Sequence, residues 1–300
     1  MTAAANLRAE SGPAASGTGL PDIDAAQIVK GLARELNADK IELPGFPDIV
    51  ARIHRALADP DVAASDIVKL AASEPALAAR LLQLANSAAF NKSGREVADL
   101  RGAITSLGFN TVRSQATAFA MKQLDRQEWL QPIRPVLADI WKNSNGVAAL
   151  CFAVARQVRG VKADEAMSAG LFHLIGKLYL FARARRESID PQAIAGWERA
   201  LNEWHVAIAR AILDHWKIPA RVAEAVEAQN AIFDADNEEL EPLVRILCGA
   251  KLHLRLRKPG APAEPEAEQA LARIRIDGRG FEELVRAAQA DAQLVQAALA

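Results

Sequence analysis

Apolar residues recur at helical spacing along most of the chain. Between Pro21 and Asn37 they fall at Ile23, Ile28, Leu32 and Leu36, and between Asp48 and Leu57 at Ile49, Ile53 and Leu57. Ser65 and Asp66 can begin a helix that runs through Ile67 and Leu70 to Ala72. Ser73-Glu74-Pro75 restarts it, because proline fits a first helical turn, and Leu77, Leu81, Leu84 and Ala88 continue the stripe. The pattern then predicts helices over Asp99–Leu107 with Gly108 as C-cap, and from a capping Asn110 to Leu124. Longer ones follow at Pro135–Arg159, Ala163–Arg185, Pro191–Lys217, Ala220–Ala231 and Pro242–Leu256. Leu252, Leu254 and Leu256 alternate with basic residues, as a strand would, but they close a helical run. Cations are also favoured in a last helical turn, so the reading is a helix end.

Polar and proline-rich stretches divide this pattern. Leu43-Pro44-Gly45-Phe46-Pro47 forbids regular helix and fixes an extended turn. Pro132 and Pro135 punctuate a polar stretch and place a subdomain boundary near residue 130. The expected organisation is a disordered tail over 1–20, one helical lobe over 21–130, a second over 131–257, and a linker with a C-terminal helical segment over 258–300, broken at Asp277-Gly278-Arg279-Gly280. With no strand-like alternation the expectation is an all-α, two-lobed helical bundle.

Composition agrees. The 300 residues are 51% hydrophobic but only 5% aromatic, so Ala, Leu, Ile and Val carry the core and helix formers dominate. Thirty-six basic and 37 acidic residues leave a net charge of -1, which gives no global field toward nucleic acid or an anionic membrane. Cys151 and Cys248 lack CxxC spacing and sit among small apolar residues, as expected of reduced, buried thiols. The first twenty residues lack the basic and apolar regions of a signal peptide, and no apolar run is long enough to cross a membrane; the expected location is the cytoplasm.

No nucleotide-binding glycine loop, HExxH, GxSxG or EF-hand motif is present, which leaves five histidines (His54, His173, His205, His215 and His253) as candidate ligands or bases. Several segments carry a resemblance: LPGFP at 43–47, DPDV at 59–62, EPALAARLLQLANSAAF at 74–90 and AITSLGFNTVRS at 103–114. Trp141 with Ser144, GLFHLIGKLYL at 170–180 and EWHVAIARAILDHWKIP at 203–219 follow in order. Together they resemble the HDOD domain of bacterial proteins over roughly residues 40–256. That family is a relative of the HD-type metal-dependent phosphohydrolases, whose site joins a histidine, a His-Asp pair and a later aspartate.

The resemblance implies where such ligands would stand. The first histidine position falls on Asn143, the His-Asp pair on His173 and Leu174, and the late aspartate on Lys251. Gln229 and Asn230 stand where paired histidines are often found. Imidazoles and carboxylates hold a divalent ion and acidify its bound water, whereas leucine cannot coordinate and an ammonium repels the ion. The expectation is a lost metal site, no cofactor and no enzymatic activity.

The resemblance thus implies a signal-transduction or regulatory module working through protein contacts, with receiver or cyclic-di-GMP proteins as candidate partners; the short apolar runs give no membrane partner and the balanced charge does not favour nucleic acid. The expected partner surface is a cleft between the lobes involving Leu43, Pro44, Pro47, Glu74, Asn86, Ser87, His173 and His205. Plainer roles stand beside these. His173 reads as a core histidine bonded to a neighbour, His205 as an interhelical hydrogen bond, Asn86 and Ser87 as caps, and Asp214-His215 as a solvated face. His54 and His253 belong to no constellation. Two other functions remain open: an atypical HD-class phosphohydrolase using His173, Asn143 and Lys251, and nucleotide or nucleic-acid binding through Arg183, Arg185, Arg186 and the basic stretch from Lys251 to Lys258.

Overall fold

The computed structural model describes residues 47–124, 126–190, 197–233 and 239–299. The expected tail, the helix over Pro21–Asn37, Leu43, Pro44 and the start of the helix expected from Pro191 lie outside the described residues.

Helices α1 (Asp48–Ala56), α2 (Ala64–Ala72), α3 (Pro75–Ala85), α4 (Leu100–Leu107) and α5 (Phe109–Leu124) form the first half. A 3-10 turn at Glu128–Ile133 leads into α6 (Arg134–Ala155), followed by α7 (Ala163–Phe172), α8 (Ile175–Arg186), α9 (Trp197–His215), α10 (Ala220–Glu227) and α11 (Pro242–Leu256). Helix α12 (Pro265–Arg273), a two-strand ribbon and α13 (Phe281–Leu299) close the described chain. The fold is all-α in its architecture, as the periodicity predicts, and Leu252–Leu256 ends a helix.

Three local readings are corrected. The single helix expected over Ala163–Arg185 is two, interrupted at His173 and Leu174. Asn110 does not cap α5; its amide donates to Asp164 Oδ2 at 2.9 Å, linking α5 to α7. The break expected at Asp277–Gly280 contains an antiparallel ribbon pairing Arg275 with Gly280 and Ile276 with Arg279. Its turn residues Asp277 and Gly278 have φ of 51° and 77°, the two left-handed positions that a tight Asp-Gly hairpin requires.

One contiguous core runs through both halves and includes Ile53, Leu77, Ile104, Leu150, Phe172, Ile212, Leu247 and Phe281. Helix α13 lies along α6, and Gly249 leaves room for the Phe281 ring, which a Cβ there would meet at 2.5 Å. The C-terminal segment is therefore part of the core rather than an appendage. Two other glycines set helix spacing around His173. A Cβ on Gly170 would fall 2.6 Å from Ala148 Cα of α6, and one on Gly176 would fall 1.9 Å from the His205 carbonyl oxygen of α9.

Candidate functional site

The interruption between α7 and α8 places His173 inside the second half, 1% exposed. Its Nδ1 lies 2.6 Å from Gly170 O. A carbonyl only accepts, so Nδ1 carries the proton and Nε2 keeps its lone pair, the orientation that metal-ligating histidines also use. Gln229 Nε2 donates to His173 O at 3.0 Å, tying the turn to the end of α10.

Lys251 on α11 completes this nest. Its ammonium donates to Gln229 Oε1 at 2.7 Å, to Gln229 O at 2.9 Å and to Asn230 Oδ1 at 3.0 Å. Burial pulls the Lys251 pKa down to about 8. The His173 imidazole is pushed down to about 3, first by burial and then by the positive field of Lys251. His205 is 6% exposed, with Nδ1 unpaired among the described residues, and is likewise held at about 3 by burial, Lys177 and Lys251. Burial raises the Cys248 thiol to about 11 and also pushes Cys151 upward. Both cysteines are free and buried, in keeping with inert thiols.

These positions do not supply a cation site. Asn143 is on the exposed face of α6, whereas its neighbours Ser144 and Asn145 point inward. Leu174 offers no donor atom, Lys251 brings a positive charge, and His173 is left as a single ligating group. Among the described residues no group of three or more His, Cys, Asp or Glu side chains is arranged to hold a metal. This donor set does not fit a divalent ion.

Of the residues expected to line a cleft, Pro47, Glu74, Asn86, Ser87, His173 and His205 are among the described residues. Asn86 donates to Leu82 O at 3.0 Å and Val97 O at 2.9 Å, and its Oδ1 accepts from Val97 N at 2.8 Å. Ser87 donates to Leu84 O at 2.7 Å. The two side chains therefore fasten the end of α3 and the following loop. Glu74 precedes α3 without a side-chain cap, and Pro47 occupies the same place before α1. The outer face of α3 opens on a groove bounded by α5, α6 and α13, and His173 is not among its lining residues.

A second buried polar cluster was not legible. His54, 2% exposed, faces Thr117 Oγ1 at 2.8 Å and stacks on Trp216 at 4.7 Å. The Thr117 hydroxyl donates to Arg113 O at 3.2 Å, so His54 Nε2 is the donor and its Nδ1 is left bare. Arg113 reaches the carbonyls of both Leu57 and Lys217, joining the end of α1 to the end of α9. Burial and the Arg113 charge hold His54 at about 3. This corrects the reading of His54 as isolated: it belongs to the joint between the halves. The partners are 63 and more residues apart in sequence, so no local spacing reveals them.

Three arginines of the basic stretches are ion-paired. Arg183 pairs with Glu187 at 2.7 Å, Arg255 with Glu264 at 2.9 Å, and Arg257 with Glu268 at 2.7 Å and Glu282 at 3.0 Å.

The helical scaffold and the turn carrying His173 define a protein of the HD-like all-α class. The HDOD domain pattern matches residues 43–232, and the chain belongs to the HDOD family. A structure from Shewanella amazonensis SB2B, provisionally described as a metal-dependent phosphohydrolase, superposes with a TM-score of 0.70 at 22% identity, covering 92% of this chain and 99% of that one. An HDOD domain protein of unknown function from Geobacter sulfurreducens gives 0.56 at 22% identity over 92% and 98%. A protein from Marinobacter aquaeolei VT8, provisionally described as a signal transduction protein, gives 0.54 at 21% over 94% and 67%. At these identities the likeness establishes the fold. An uncharacterized protein of Treponema pallidum (strain Nichols) is 27% identical over 257 residues, 80% of this chain and 47% of the relative, so the chain spans about half of that protein's length.

Proposed function

We propose that this chain is a non-catalytic signal-transduction or regulatory module that acts through protein contacts. The observation carrying the reading is the Lys251 ammonium, held by three oxygens of Gln229 and Asn230, and the family resemblance assigns that position to the late aspartate of the HD site. A cation there repels a divalent ion and occupies the site itself, and Leu174 removes the carboxylate beside His173. The signal-transduction description of a protein sharing this fold supports the same reading. The ion pairs of Arg183, Arg255 and Arg257 and the balanced net charge weigh against nucleic acid as the partner. Among the described residues no helix is long and apolar enough to cross a membrane.

One observation favours a hydrolase as the second reading. The Nδ1 proton of His173 is already committed to Gly170 O, leaving Nε2 oriented as in a ligand. Capture of binding proteins by the tagged full chain, with parallel assay of phosphodiester hydrolysis, separates the two. The module reading expects a stoichiometric protein partner and no hydrolysis that depends on His173. Hydrolysis lost in His173→Ala, without a partner, supports the hydrolase.

A further inference from the structure

Helix α3 turns Ala76, Ala79, Arg80, Gln83 and, just beyond its end, Ser87 to one side, the i, i+3, i+4, i+7, i+11 pattern of one helix face. This face is the floor of two adjoining depressions. One, of about 390 Å³, is walled by Phe119 of α5 and Trp141 of α6. The other, of about 380 Å³, is walled by Leu294 and Ala298 of α13. Both are lined by Arg80 and Gln83, so they form one trough along α3 with Arg80 near its middle. At 1.5 Å per residue, the eleven residues of α3 make it about 16 Å long, roughly three helical turns. Alanines on the floor and rim permit a second helix to approach closely. Leu294, 42% exposed, supplies apolar surface at one end and the Trp141 ring does so at the other.

Arg80 gives the trough its polarity. It is half-buried, burial lowers its pKa, and it makes no hydrogen bond or ion pair to any described residue. Among the described residues the other charged member of the lining is Lys122, and none of the lining residues carries a carboxylate. A guanidinium partly withdrawn from water among apolar walls is costly without a counter-ion and presents a planar fork suited to a carboxylate.

The geometry points to this trough as the docking site for an amphipathic helix of a partner protein, about three turns long, whose apolar face carries one Asp or Glu that pairs with Arg80. The inference rests on the protein-contact reading above and names its surface and partner chemistry. Leucine-sized side chains, three or four residues apart, fill the two depressions on either side of the carboxylate, the anchor spacing of helix-in-groove recognition.

The test is a selection of random sixteen-residue peptides displayed against the folded full-length chain. Enriched peptides are expected to be amphipathic and to carry one acidic residue within the apolar stripe. Arg80→Glu should weaken the leading peptide at least tenfold and move a repeated selection to a Lys or Arg at that place. Ala79→Trp, which fills the exposed floor, should abolish binding, with an unchanged thermal melt showing that both variants fold. No enrichment, binders lacking the acid, or equal binding to Ala79→Trp overturns the proposal. Self-association of the chain that is lost in Ala79→Trp would put a second copy in the trough and would also overturn it. Any of these results leaves the wider reading standing if the chain still captures a stoichiometric protein partner; metal-dependent hydrolysis through His173 would defeat that reading instead.

Discussion

Mild acid should unfold this protein through three buried histidines. His54, His173 and His205 are 2%, 1% and 6% exposed, and each is held at about 3 against an ordinary value of 6.5. Every charged group acting on them is a cation or another imidazole: Arg113 on His54; Lys251, His205 and Lys177 on His173; Lys177 and Lys251 on His205. Because the folded values lie below the unfolded ones, their contribution is fully present above pH 6.5 and is lost as pH falls from 6.5 toward 3. At pH 5 the unfolded chain has protonated all three and the folded chain none, which costs about 2 kcal/mol per histidine, or roughly 6 kcal/mol together. That is comparable with the whole stability of an ordinary domain, about 5–15 kcal/mol. Urea melts between pH 7.5 and 4.5 should show stability falling with a limiting uptake of about three protons from these groups, near 4 kcal/mol per pH unit. His54→Gln, His173→Gln and His205→Gln should each reduce the slope by about one proton. A flat profile, or a slope unchanged in all three variants, refutes the reasoning.

Three further predictions concern what holds this arrangement. Gly176→Ala should destabilise by about 3 kcal/mol or more in denaturant melts, because backbone oxygen at 1.9 Å cannot move aside as a side chain would. Asn86→Ala should cost about 1–3 kcal/mol by freeing the Val97 segment, and Asn86→Asp should not rescue it, since a carboxylate loses both amide donations and faces Val97 O; hydrogen exchange at Val97 checks this. Arg113→Met should cost about 2–4 kcal/mol by leaving the Leu57 and Lys217 carbonyls without their donor, and protease sensitivity between α1 and α5 should rise.

The helices were legible because their stripes recur at 3.6-residue spacing, and Pro75 and Gly108 mark ends that the structure keeps. The turn at His173 was hidden because apolar residues continue through it; the helix breaks where Gly170 and Gly176 bring α6 and α9 close, a tertiary demand without a local signature. Spacing alone could not tell that Asn143 faces outward while Ser144 faces inward, since one residue turns a helical side chain by about 100°. The family's order of motifs implied Leu174 and Lys251 as ligand positions, but the three oxygens around Lys251 were not legible, because they come from another helix end. The His54 joint and the Arg80 trough likewise depend on residues far apart in sequence. A lone cation next to alanines gave no warning that it would lack a partner.

Metal content and turnover of the full chain, purified without chelator, test most directly the claim that this site works without a catalytic metal. The account predicts less than stoichiometric divalent ion and no phosphodiester or nucleotide hydrolysis that differs between the natural chain and His173→Ala. One equivalent of divalent ion, lost together with metal-dependent hydrolysis on His173→Ala, would contradict it.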